Sequence, residues 1–205
     1  MKVLVFGATG PSGRLAVARA LAAGHEVTAF ARNVSATIAG ARMLHGDATD
    51  PGAVGAAVAG HDAVVSTLGL HKAFKSGGLI ARSLAAIVPA MERAGARRLI
   101  VMSALGVGAT RVQAPWFPRL MYRVLLTDIF ADKAAGEQLV EASGLDWTIV
   151  HPSLLTDGPA TGRFRAGETL ELTGMPRVSR ADVAQFMADA IGSQQWSRKH
   201  VILSG

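Results

Sequence analysis

The chain contains no cysteine, which excludes disulfides, thiolate nucleophiles and cysteine-ligated metal centres. Aromatic residues make up only 5% of the 205 positions, with a single tyrosine, Tyr122. Chemistry that needs a tyrosine proton donor therefore has one possible bearer. Charged residues are sparse at 18%. The formal charge of +6 is spread over isolated Arg and Lys with no dense basic run, so nucleic acid is not an expected partner. Scattered positive charge still suits a small anionic ligand. Histidines number six and are dispersed without an H-x-x-x-H pair, so no metal site is expected. A G-x-S-x-G elbow is also missing, against a serine hydrolase of the α/β type. Although half of the residues are hydrophobic, no unbroken apolar run approaches the ~20 residues that cross a bilayer. The N-terminus lacks the charged and apolar regions of a signal peptide. The expectation is a cytoplasmic protein with no membrane partner.

What is present begins at the second residue. Lys2-Val3-Leu4-Val5-Phe6 is an apolar, β-branched run that meets three glycines, Gly7, Gly10 and Gly13, spaced G-x-x-G-x-x-G. A helical pattern follows from Arg14 to Ala23. Strand, glycine turn and helix in that order are what dinucleotide binding requires. Gly7 allows a sharp turn, Gly10 lets a pyrophosphate approach the backbone, and Gly13 lets the helix pack close to the sheet. The helix N-terminus then faces the phosphates. Gly7, Thr9, Gly10, Pro11, Ser12 and Gly13 are the candidate phosphate-binding residues.

The rest of the chain alternates short apolar runs with helical stretches. Strands are expected at Val3–Phe6, Glu26–Ala31, Arg42–His45, Asp62–Thr67, Leu99–Ser103, Trp147–His151 and Val201–Leu203. Helices are expected at Pro51–Ala59, Leu79–Ala94, Ile129–Ser143 and Ser179–Ile191. Asp50 precedes Pro51 as an N-cap, and Ser179-Arg180-Ala181-Asp182 forms a variant capping box. Such alternation predicts an α/β fold: a Rossmann-like, doubly wound, mainly parallel sheet in the order 3-2-1-4-5-6 plus an extra strand, with helices on both faces. A single domain over 1–205 follows. Stretches near 104–118 and 152–176 break the rhythm with Gly, Pro, Trp and Phe. Both follow strand ends, where substrate loops belong. Trp116, Phe117 and Met121 would cover a planar acceptor or form core or dimer contacts.

Ligands of such sheets bind beyond the C-terminal strand ends. There the second strand runs into Arg32-Asn33 with no Asp or Glu. A carboxylate would hold the 2′-hydroxyl of NAD, whereas an Arg suits the 2′-phosphate of NADP. Asp47 and Ala48 after strand three are placed for the adenine, and Leu68 and Gly69 for the nicotinamide ribose. Ser103 ends strand five, and His151 and Pro152 end strand six. His151 is either a proton donor near neutral pH or a buried, hydrogen-bonded ring.

These residues resemble the atypical short-chain dehydrogenase/reductases, in the NAD(P)H-binding branch that includes biliverdin reductase B/flavin reductase. The resemblance rests on the glycine motif, Gly46-Asp47, Ser66-Thr67-Leu68-Gly69, Ile100-Val101-Met102-Ser103-Ala104, Asp132-Lys133-Ala134-Ala135-Gly136-Glu137 and Gly144-Leu145-Asp146-Trp147-Thr148-Ile149-Val150-His151-Pro152. It spans nearly the whole chain. It implies that Ser103 is an active-site serine and that Lys133 is the lysine of the family's Y-x-x-x-K pair, bonded to the nicotinamide ribose. The tyrosine position is held by Ile129, and Tyr122 stands at another spacing. The histidine that the resemblance implies after strand six is replaced by Leu154. A ketone needs a positioned acid; a flavin, quinone or biliverdin-like acceptor can collect its proton from water. The expectation is an NADP(H)-dependent reductase of a planar conjugated acceptor, as monomer or homodimer. The alternative is a non-catalytic NADP(H)-binding regulator of the nitrogen-metabolite-repression type.

Arg32→Glu should weaken NADP binding roughly ten- to hundredfold, the worth of a charge-assisted phosphate contact, with a much smaller effect on NAD. Equal losses in fluorescence titrations with the two dinucleotides would refute the phosphate role.

Overall fold

The computed structural model describes residues 1–69, 75–113 and 127–205. Its core is a sheet of eight strands built around β1 (Lys2–Phe6). The others are β2 (Glu26–Ala31), β3 (Arg42–His45), β4 (Ala63–Ser66), β5 (Arg98–Met102), β6 (Asp146–Pro152), β8 (Arg165–Gly167) and β10 (Lys199–Ser204). Their spatial order is β3-β2-β1-β4-β5-β6-β10-β8. All neighbours run parallel except β8, which pairs antiparallel with β10 at the edge. This is the Rossmann-like doubly wound sheet, with the 3-2-1-4-5-6 order and β10 as the added strand.

Period-two alternation sends β1 side chains to both faces. Leu4 and Phe6 join one core, with Val54 of α2 (Pro51–Val58), Leu84 and Ile87 of α3 (Leu79–Ala94) and Val140 of α4 (Thr127–Glu141). Val3 and Val5 join the other, with Val17 of α1 (Pro11–Ala22) and Val183 and Met187 of α5 (Arg180–Ile191). Both faces are thus covered, which is why the parallel strands read as continuous apolar runs.

Helix ends are fixed by side chains. Asp50 accepts the Gly52 amide at 2.9 Å and starts α2 as its position before Pro51 implies. The N-cap of α3 is Gly78 in a left-handed conformation with no side-chain cap of its own. Asp132 on α4 supplies the acceptor instead, taking the amides of Ile80 at 3.0 Å and Ala81 at 2.8 Å. That contact locks α4 against α3.

The segment after β6 is more ordered than its breaks in rhythm suggest. β7 (Leu154–Thr156) pairs in parallel with β9 (Arg177–Ser179), and β8 extends the main sheet. Each of the three is only three residues long, too short to show an alternating pattern. Arg98, one of the scattered basic residues, lies in the interior. It is buried, bonding Asp146 at 3.0 Å, Thr148 at 2.8 Å and the Ala190 carbonyl at 2.7 Å.

Ser179 caps α5 by accepting the Asp182 amide at 2.9 Å, and donates its hydroxyl to the Asp182 carboxylate at 2.7 Å. Asp182 also accepts the amides of Thr161 and Gly162, both at 2.9 Å, and so anchors the loop before β8. Burial pushes its carboxyl up, but the bonds from Ser179, Gly162 and Thr161 prevail and hold it below the ordinary range. A depressed carboxyl stabilises the fold above its unfolded pKa of about 4, and that contribution is lost as pH falls through the folded value. Asp182→Ala should cost roughly 2–4 kcal/mol, through the lost cap and stranded donors. Melting curves should show that the variant also loses less stability on acidification than the native chain.

Candidate cofactor cleft and acceptor pocket

The cleft lies where β1 turns into α1. Gly7 is left-handed at φ 73°, and a Cβ there would lie 2.9 Å from the Leu68 amide nitrogen. Gly10 turns back through a 3.0 Å amide bond to the Gly7 carbonyl. A Cβ on Gly13 would stand 2.1 Å from that same carbonyl oxygen. Three glycines therefore do three separate things, and at Gly7 and Gly13 the lack of space forces the choice. The first turn of α1 has no side-chain cap and no acidic residue. Its free amides and positive dipole end are available to an anion.

Gly7, Thr9, Gly10, Pro11 and Ser12 line one wall, and Gly13 lies beneath them as the packing contact. Arg32 and, after β3, Asp47 and Ala48 line another, with Leu68 and Gly69 after β4 closing the cleft. Met102 also lines it, as do Phe30 and Leu79, which no motif marked. Asp47 doubles as a turn former: its carboxylate accepts the Thr49 amide at 2.8 Å and hydroxyl at 2.9 Å. Those bonds, the backbone one foremost, hold its carboxyl below the ordinary range, and the charge of Arg32 contributes. Arg32 is exposed, leaving its guanidinium at the cleft margin.

A second pocket adjoins the first, and the two share Leu155 and Arg180. Its walls are largely apolar, including Leu105, Phe130, Pro152 and Leu154, and Ser103 opens onto it. Leu154 therefore stands in this pocket, where the resemblance implied a histidine. Arg180 is bonded to the exposed Asp157 at 2.6 Å. Ile129 sits in the first turn of α4. Trp116, Phe117, Met121 and Tyr122 lie outside the described residues.

Behind Ser103 is a buried polar cluster. Lys133 and Glu137 are one turn apart on α4, 9% and 1% exposed. The Ser103 hydroxyl and Glu137 Oε1 share a short hydrogen bond. Lys133 Nζ reaches the Met102 carbonyl at 3.5 Å. Burial lowers the Lys133 ammonium to about 8, against the pull of Glu137 and Asp132. Burial likewise raises the Glu137 carboxyl to about 7, against Ser103 and Lys133. Lys133 is thus no solvated helix residue, and it sits behind both pockets rather than on their walls.

His151 is fully buried and lines neither pocket. Its Nδ1 lies 3.0 Å from the Ala104 carbonyl, 3.2 Å from the Thr110 hydroxyl and 3.9 Å from Glu137 Oε1. Its Nε2 lies 3.0 Å from His200 Nδ1, and His200 Nε2 lies 3.2 Å from Glu141. Burial drives His151 down to about 3, so its ring is neutral at neutral pH. The position sought for the cofactor therefore holds the buried, hydrogen-bonded histidine. Glu137, His151 and His200 offer ligand atoms within 4.8 Å of one another, a grouping that the dispersed histidines hid. Each His151 nitrogen already faces a hydrogen-bond partner: His151 and His200 are bonded to each other, and Glu137 lies beside them, bonded instead to Ser103.

A family model described as NAD(P)H-binding matches residues 7–194. The chain belongs to the NAD(P)H-binding family. Its cofactor is a nicotinamide dinucleotide. A curated relative, the uncharacterized sugar epimerase YhfK of Bacillus subtilis, is 31% identical over 194 residues, covering 90% of this chain and 85% of that protein. The solved ChuY from Escherichia coli O157:H7, an anaerobillin reductase, is 26% identical with a TM-score of 0.82, covering 99% of this chain and 96% of that one. A short-chain dehydrogenase/reductase from Veillonella parvula, solved with NADP, shares the fold at 18% identity, with a TM-score of 0.83 and coverage of 100% and 94%.

Sequence reasoning missed Glu137 and His200. Glu137 lies one turn after Lys133 in a helix whose buried stripe is polar, and that spacing was its only signal. His200 carried none, because only strand pairing brings it to His151. Gly13→Ala should drive a methyl into the Gly7 carbonyl and cost roughly 1–3 kcal/mol. A lower Tm and weaker NAD(P)H fluorescence binding are expected; unchanged values would contradict the packing role.

Proposed function

We propose that the chain is an NADPH-dependent oxidoreductase that reduces a planar, conjugated small molecule of the flavin, quinone or biliverdin-like kind. The observation that carries this reading is the apolar pocket beside the cofactor cleft, floored by Ser103 and continuous with the cleft at Leu155 and Arg180. The cleft fits the dinucleotide: a Cβ at Gly7 or Gly13 would fill or distort its cradle, and the α1 amides carry no competing cap. Gly7 to Ser12 would hold the pyrophosphate, and Arg32 the 2′-phosphate. Asp47 and Ala48 would flank the adenine, with Leu68 and Gly69 on the nicotinamide side. The bound reduced nicotinamide supplies a hydride to an acceptor held in the neighbouring pocket.

The chain's own contribution is placement and proton control. Leu154, Leu155 and Phe130 would exclude water from a flat apolar acceptor. Ser103 is a hydroxyl at the pocket wall, with Lys133 behind it to favour negative charge developing there. Ile129, at the family's tyrosine position, supplies no acid, which favours acceptors whose charge spreads over a conjugated system. The likeness to an anaerobillin reductase at 26% identity supports the same acceptor class.

The test is NADPH consumption with a panel of flavins, quinones and linear tetrapyrroles. Turnover with at least one, faster with NADPH than NADH, is expected. Tight NADPH binding without turnover on any would overturn the reductase reading in favour of a regulator that senses the dinucleotide.

A further inference from the structure

We infer that Glu137 is a solvent-coupled proton store that decides whether Ser103 can donate into the acceptor pocket, and that His151, His200 and Glu141 are its route to water. The inference deepens the reductase reading of the same site and rests on it for the identity of the proton's destination.

The first ground is the position of Glu137. Its Oε1 is bonded to Ser103, while its Oε2 is buried without a hydrogen-bond partner. An ionised carboxylate with one bare buried oxygen is costly. Gly108 leaves that oxygen its space: a Cβ there would lie 2.0 Å from Oε2. The site thus accommodates the neutral acid, in keeping with a carboxyl raised to about 7.

The second ground is the direction of the Ser103 bond. With Glu137 ionised, the Ser103 hydroxyl must donate to it and has no proton for the pocket. With Glu137 protonated, the acid donates to the Ser103 oxygen, and the Ser103 proton is free to point at the acceptor. When the acceptor takes up hydride, its new X–H bond forms as the Ser103 O–H bond breaks. The Glu137 O–H bond breaks in turn to restore the hydroxyl, leaving Glu137 as a carboxylate. One proton from solvent returns it to the starting state.

The third ground is the route. The Ala104 carbonyl can only accept, so His151 Nδ1 carries its proton and Nε2 is an acceptor. His200 Nδ1 then donates to it at 3.0 Å. The other His200 nitrogen faces the Glu141 carboxylate at 3.2 Å, so the His200–Glu141 pair must hold one further proton to avoid opposed lone pairs. Burial lowers His200 and Glu141 raises it, so that proton can move inward or outward. Glu141 is half-exposed and joins the route to water. At the inner end, 3.9 Å from His151 Nδ1 to Glu137 Oε1, a small ring or carboxylate shift closes the last step. The groups facing Glu137 are Lys133 and Glu141 from α4, Ser103 from the end of β5, His151 from β6 and His200 from β10. The nearby Lys133 ammonium offsets the charge left on Glu137 after each transfer.

Infrared titration of the whole protein, wild type against Glu137→Gln, tests the store directly. A protonated-carboxyl band should disappear as pH rises through about 7 and be missing in the variant. After mixing into heavy water, the isotope shift of that band should be about tenfold slower in His200→Gln than in wild type, since one relay group is gone. In turnover, Glu137→Gln should lower kcat roughly a hundredfold, the scale of a general acid, and abolish the fall in rate above about pH 7, with NADPH affinity retained. A band that titrates in the ordinary carboxylate range, or exchange untouched in His200→Gln, would overturn the inference even in an active reductase. The expected band and exchange with no acceptor turned over would uphold the store and reject the reductase reading alone.

Discussion

Where the end of β1 meets the first turn of α1, there is no room for a Cβ at Gly7 or Gly13. A Cβ at Gly13 would come within 2.1 Å of the Gly7 oxygen, and one at Gly7 within 2.9 Å of the backbone after β4. This contact sets how closely α1 sits on the sheet, and so where its free amides point. It also draws the ends of β1 and β4 together. The cleft is the space left once those backbones have met, and Arg32, Asp47 and Gly69 line it because their strands end at the same level.

A second constraint acts on the other half of the sheet. Asp132 satisfies the bare N-terminus of α3 from α4, which fixes both the height and the rotation of α4. With that rotation set, Lys133 reaches the Met102 carbonyl at the end of β5 and Glu137 meets Ser103. The strand order then brings β10 next to β6, and in their register Ile202 lies opposite His151. His200 and His151 meet across that ladder at 3.0 Å. A polar chain from the protein surface to the pocket wall is therefore assembled from α4, β5, β6 and β10, inside an otherwise apolar core. Buried polar groups persist in such a place only when they satisfy one another. The bare Glu137 Oε2 is the exception within this cluster.

Where the resemblance implies a tyrosine the chain has Ile129, and the neighbourhood of the buried Lys133 is elaborate. Retaining a buried ammonium next to a buried carboxyl is expensive unless each tempers the other. Their opposed displacements, the amine to about 8 and the acid to about 7, bring both towards the range in which protons move freely at neutral pH.

Much of the cofactor half was legible from the chain alone, because its signals are local. Strand, glycine spacing and helix follow within a dozen residues, and β2, β3 and α3 fall on their expected bounds, since apolar runs and glycine stops mark them. Arg32, Asp47 and Gly69 could be placed because strand ends are ligand-binding positions in any sheet of this winding. The short strands β7 to β9 escaped notice, being too brief for a pattern and paired with partners far along the chain. The buried role of Arg98 was not legible, because nothing near it in sequence announces Asp146, Thr148 and the Ala190 carbonyl. The sequence by itself determined the α/β winding and the glycine turn beside the cleft, which depend on spacing and on the absence of side chains. Only the tertiary structure decided that Glu137, His151 and His200 come together, because their meeting depends on helix rotation and strand neighbours, which no local pattern encodes.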